Sequence, residues 1–212
     1  MGGEWEYRIV ETNLIDALRL LAWDNNESKA TALKTTYELE KYGPMELYQR
    51  AIISIIRAYT PVDADFDSRA HLEDAWDLTQ EYAAKCEIDD HKPGADLVEQ
   101  IESCILGMYA EHLQQGPFRV VALPGGWTPP KETIRTLGMS EGIIGRPRGK
   151  KTFKRSLNKY LQTLEDYPSG RYTPAMLFES LAMNGTVIPK WLVRYEYSNP
   201  MLETDSDSDD TE

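Results

Sequence analysis

Across the first 115 residues apolar side chains return every third or fourth position, a spacing that restricts this stretch to helices with one buried face each. In "NLIDALRLLAW" Leu14, Leu18 and Leu21 share a stripe, with Asn13 as the expected cap. A second helix is predicted over "ESKATALKTTYELEKY", stopped by Gly43 and Pro44. Pro44 then suits the first turn of a third, carrying Leu47, Ala51, Ile52, Ile55, Ile56 and Tyr59. A fourth is expected from about Ser68 and a fifth after "KPG", ended by Gly116 and Pro117. Helices with single apolar faces and short links bury them best against one another, so the expected fold is mainly α, with an N-terminal antiparallel bundle over residues 1–115.

After Pro117 the pattern changes to a small α+β segment, residues 116–202, with two short strands. "FRVVALP" is short, rich in β-branched residues and bounded by Pro and Gly, which predicts a strand at 118–123. "TVIPKWLVRYEY" predicts the second, with Pro189 favouring an edge position. Between them "TPPKETIRTLG" and "TPAMLFESLAMNG" have the caps of short helices. Phe153, Leu157, Tyr160, Leu161 and Leu164 give a longer amphipathic one. The last ten residues, "ETDSDSDDTE", have no apolar side chain and are expected to be a disordered acidic tail over 203–212. Thr204 and Ser206 each have an acid three residues on, a pattern suited to acid-directed phosphorylation.

Charge follows the same division. The whole chain has a formal net charge of -12, but residues 1–115 carry 10 basic and 23 acidic side chains, residues 116–202 carry 13 and 6, and residues 203–212 carry 0 and 6. The middle segment is therefore basic between two acidic ones, which points to a polyanionic partner or an internal charge contact. Its centre is "GRPRGKKTFKR", where Arg146, Arg148, Lys150, Lys151, Lys154 and Arg155, followed by Lys159, are candidates to contact the phosphates of DNA or RNA. "LGMSEGIIGRPRGK" resembles the turn and recognition helix of bacterial helix-turn-helix proteins, sigma-type factors in particular, over about twenty residues. Gly145 and Pro147 would end such a recognition helix after about two turns. "GRPRG" is similar to the core of an AT-hook, whose extended Arg-Pro-Arg segment enters the minor groove. The same run also fits a nuclear import signal.

Other patterns suggest metals. Asp63, Asp65, Asp67 and Asp74 stand at positions 1, 3, 5 and 12 of an EF-hand spacing, although Ser68 replaces the turn glycine; the other reading is a cap by Asp67 or Ser68 on the fourth helix. Cys86, His91, Cys104 and His112 are zinc-binding types in an unusual spacing, and Cys104 and His112 also fit a core face. "GRPRGKKT" has its glycines one residue too close for a phosphate loop, no H-E-x-x-H or nucleophile elbow occurs, and the three histidines are isolated. A non-enzymatic chain without a cofactor is expected.

No apolar run reaches the roughly 18–20 residues of a membrane span, and "MGGEWEYRIVE" lacks the regions of a signal peptide. Glu6 stands where a myristoylation signal wants Ser or Thr. An intracellular protein, in nucleus or cytoplasm with both cysteines as thiols, is expected without a membrane partner. The leading expectation is a nucleic-acid-associated regulatory or structural protein, its basic run contacting phosphates and its acidic tail competing with them. The alternative is a protein-interaction adaptor, compatible with a virus-encoded protein acting on host factors, whose acidic bundle binds a basic protein partner. A homo-oligomeric structural protein is the third reading.

Overall fold

A computed structural model of the chain describes residues 2–42, 45–130, 149–166 and 172–184. Seven α-helices occur among the described residues: α1 (Gly2–Ala22), α2 (Asn26–Leu39), α3 (Leu47–Tyr59), α4 (Ser68–Asp89), α5 (Lys92–Gln115), α6 (Gly149–Asp166) and α7 (Pro174–Asn184). Short 3-10 turns follow at Glu40–Tyr42 and Pro124–Gly126.

The helix ends have local causes. α1 starts well before the expected cap: Asn13 lies inside it and donates Nδ2–H to the Ile9 carbonyl at 2.8 Å. The reason is that the apolar stripe of Leu14, Leu18 and Leu21 continues backward to Val10, which is also buried, so packing extends the helix past Asn13. Asn25 caps α2, its side-chain oxygen accepting from the Ser28 amide at 2.8 Å. α3 begins at Leu47, where the Glu46 amide donates to the Gln49 side chain; Gly43 and Pro44 lie outside the described residues. Asp67 caps α4 by accepting from the Ala70 amide at 3.1 Å. α5 takes in "KPG" in its first turn, where proline's missing amide costs no helix bond. Thr173 caps α7, accepting from the Met176 amide.

α3 is the central element: apart from the half-buried Arg50, every residue from Tyr48 to Thr60 is buried. It packs against α4 most extensively and also against α1, α2 and α5. One face of α3 carries the isoleucines and the others are covered by neighbours, so the polar side chains on it are enclosed as well. α6 lies on α4 and α5, and α7 on α1 and α5. Both contribute to the same core: Phe153 of α6 meets Trp76 and Tyr109 at ring-centroid distances of 5.2 and 5.0 Å, and Phe178 of α7 meets Tyr59 at 4.9 Å. These aromatic contacts each add stabilisation of about 0.5–1.5 kcal/mol beyond area burial.

The strand expected at 118–123 is not formed. The segment takes no regular structure, with extended backbone at Leu123, and has no strand partner among the described residues; the Asn26 side chain takes that place, donating to the Ala122 carbonyl at 2.9 Å and accepting from its amide at 2.8 Å. The Val121 amide donates to the Pro61 carbonyl, and Phe118 packs edge-on against Tyr59 and His112. β-branched residues favoured an extended backbone, but its hydrogen bonds were satisfied by an amide side chain and a loop carbonyl instead of a sheet. The second expected strand lies outside the described residues.

Candidate nucleic-acid interface

α6 has two chemically opposite faces. Phe153 and Leu157 are buried, and Tyr160, Leu161 and Leu164 are partly covered, which fixes the helix to the bundle. Lys154, Arg155, Asn158 and Lys159 are exposed on the other side. No carboxylate of the described residues pairs with Lys154, Arg155 or Lys159. Lys150 and Lys151 fall in the first turns of α6, so the run is helical from Gly149 onward and not extended. Arg146 and Arg148, with the helix-turn-helix and AT-hook resemblances, lie outside the described residues, as do Thr204, Ser206 and the tail. At 1.5 Å per residue the stretch from Lys150 to Lys159 covers about 14 Å, or about four base-pair steps of duplex DNA.

The aspartates at 63, 65, 67 and 74 do not make a calcium loop. Asp67 is occupied in capping α4, Asp63 accepts from the Asp65 amide at 3.1 Å, and no three metal-ligating side chains converge among the described residues. Ser68 starts a helix where an EF-hand loop has a glycine turn, so the four acids line one cavity without taking the form of that loop. Of the zinc candidates, Cys86 and His91 come together beside Gly94, where a Cβ would stand 2.5 Å from Cys86 Sγ and 2.6 Å from His91 Nδ1, but no third ligand joins them among the described residues. Cys104 sits in the core, where burial pushes its thiol up to about 12. Cys86 is buried beside Tyr82, and burial raises its thiol too. His112 packs edge-on against Phe118, and burial lowers its imidazole.

Two further polar centres lie inside the bundle. Arg57 of α3 has no exposed surface; its Nη2 stands 2.8 Å from Glu40 Oε1, its Nε donates to Thr36 Oγ1 at 3.2 Å, and its guanidinium lies 4.0 Å from the Tyr37 ring centre. Burial lifts the Glu40 carboxyl above the usual range even with Arg57 beside it. His71 of α4 stacks on Phe66, with ring planes 1° apart, and burial followed by the positive charge of Arg57 lowers its imidazole to about 4. The second centre joins α1 to α3: Tyr48 donates to Glu11 Oε2 at 2.7 Å, Gln49 donates to the same oxygen at 2.9 Å, and Tyr7 and Tyr48 share a hydrogen bond. Burial first and Glu11 second raise both phenols. An arginine within "AIISIIRAY" is the only sequence signal for the first centre, because a basic residue inside an apolar run needs a partner when the helix is enclosed.

Among the described residues no helix is long and apolar enough to cross a membrane. Compared with protein-family models, curated proteins and solved structures, the chain finds no match.

Proposed function

We propose that this chain is a non-enzymatic, nucleic-acid-associated regulatory or structural protein that contacts phosphates through the basic face of α6. The observation that carries the reading is the exposure of Lys154, Arg155 and Lys159 on a helix whose opposite face is anchored by Phe153 and Leu157. Cations held on a rigid element lose little freedom when they meet a polyanion and release its counterions, so they favour binding without base readout. Arg146, Arg148, Lys150 and Lys151 extend the same positive run in sequence, and the acidic segment 203–212 is its intramolecular competitor. Phosphate on Thr204 or Ser206 would strengthen that competition. Nucleus and cytoplasm are both compatible with this role.

The test is binding of labelled DNA and RNA at increasing salt, comparing the full chain with one ending at Leu202. Tighter binding by the shorter chain supports tail competition. Binding that survives alanine at all six basic positions from Arg146 to Arg155 contradicts the assignment.

A further inference from the structure

A cleft of about 640 Å³ opens between α5 and α7, beside Tyr160 of α6. Its geometry follows from one glycine. A Cβ added at Gly107 would stand 2.6 Å from Leu177 Cδ1, so α5 and α7 touch there because residue 107 has no side chain. Toward the N-terminal end of α5, Asp96, Glu99, Gln100 and Ser103 recur at helical spacing, and this polar stripe faces Met176, Leu177 and Leu181 of α7. A pair of packed helices normally buries apolar groups from both sides; here acids and an amide face an apolar wall, and among the described residues the space between them is open.

Three features define what fits. Asp96 and Glu99 pair with no cation among the described residues, so the rim favours a positive group. Met176 is 48% exposed and Tyr172 56%, giving an adaptable thioether and an aromatic ring beside the cleft. Gln100 Oε1 is buried and meets no hydrogen-bond donor among the described residues, an omission that an incoming N–H would make good. An apolar molecule alone would leave that oxygen and both carboxylates unanswered, and a nucleic acid would be repelled by them. We infer that this cleft is a docking site for a segment of a partner protein that presents a large apolar side chain next to a Lys or Arg, the apolar group lying on Met176 and Leu177 and the cation meeting Asp96 and Glu99. The site is separate from the basic face of α6 and does not depend on nucleic-acid binding.

The experiment selects phage-displayed random dodecapeptides on the full chain and removes those retained by a Ser103→Trp variant, which fills the cleft from an exposed position. Recovered peptides should carry a bulky apolar residue within two positions of Lys or Arg. A synthetic, fluorescently labelled copy of the best one should lose at least tenfold in affinity against Asp96→Lys or Glu99→Lys, both exposed positions whose thermal melts should match the parent. The proposal is overturned if no peptide distinguishes the parent from Ser103→Trp, if the recovered peptides lack basic residues, or if the charge reversals leave affinity unchanged. Displacement by a synthetic peptide of residues 186–197 would make this chain the occupant, and a concentration-dependent mass abolished by Ser103→Trp would make it a second copy; either result also overturns the proposal.

Discussion

Arg57 on α3 and the trio Lys154, Arg155 and Lys159 on α6 belong to helices of one bundle, yet their charges meet opposite surroundings. Arg57 is enclosed on all sides, with Glu40 at its Nη2, Thr36 at its Nε and the Tyr37 ring against its plane, while Nη1 meets no acceptor among the described residues. The α6 trio faces solvent, and no carboxylate of the described residues answers it. A buried charge must be satisfied within the fold, so Arg57 serves structure. An exposed, unanswered set adds almost nothing to stability and remains available to a partner.

Removing the buried charge should cost the fold most. Arg57→Leu strands the Glu40 carboxylate and the Thr36 hydroxyl, and urea denaturation should show a loss of about 3–5 kcal/mol. Adding Glu40→Leu should recover part of it, because the second substitution removes the stranded charge. Equal losses in the single and double variants would show that packing, not charge, dominates at this position.

Phe153→Ala attacks the one feature α6 shares with α3, its buried face. Losing the contacts with Trp76 and Tyr109 should cost about 3 kcal/mol by the same measurement. Nucleic-acid affinity should fall as well, because the basic face loses its anchor.

His71 supplies a pH signature for the buried centre. Its folded imidazole is depressed to about 4, against about 6.5 in the unfolded chain. The folded state therefore binds fewer protons, and the contribution is fully present above about pH 6.5 and lost as pH falls toward 4. The difference between the parent and His71→Phe, followed by thermal melts, should change by up to about 3 kcal/mol over that window. A constant difference would place His71 in contact with water.

The smallest stability effects belong to α6. Lys154→Ala, Arg155→Ala and Lys159→Ala should each shift stability by less than about 0.5 kcal/mol. Each should lower the salt slope of nucleic-acid binding by about one.

The five N-terminal helices could be read from the sequence because each carries its own periodic stripe, and Asp67 was readable as a cap since capping is decided within three residues. Arg57 was not legible in the same way: periodicity identifies one buried face, while the enclosure of α3 on every side depends on helices far away in sequence. Residues 118–123 show the same limit, for Val120 and Val121 bias the backbone toward extension but cannot specify that Asn26, about a hundred residues earlier, would supply the hydrogen bonds. The four aspartates matched a metal spacing, yet a helix started among them. On α6 both faces were legible, because its apolar and basic positions alternate at helical spacing. Charge changes sign after residue 115, but the hydrophobic core does not end there: Phe153 and Phe178 belong to the same cluster as Leu18 and Ile55.

Whether the basic face of α6 holds nucleic acid is read from the salt dependence of duplex DNA and RNA binding by the full chain and by the Lys154→Ala/Arg155→Ala/Lys159→Ala variant. For the parent, log Kobs should fall linearly with log salt, and the variant should bind more weakly with a slope smaller by about three. Equal affinity and equal slope for both proteins, with the variant's fold intact, would contradict it.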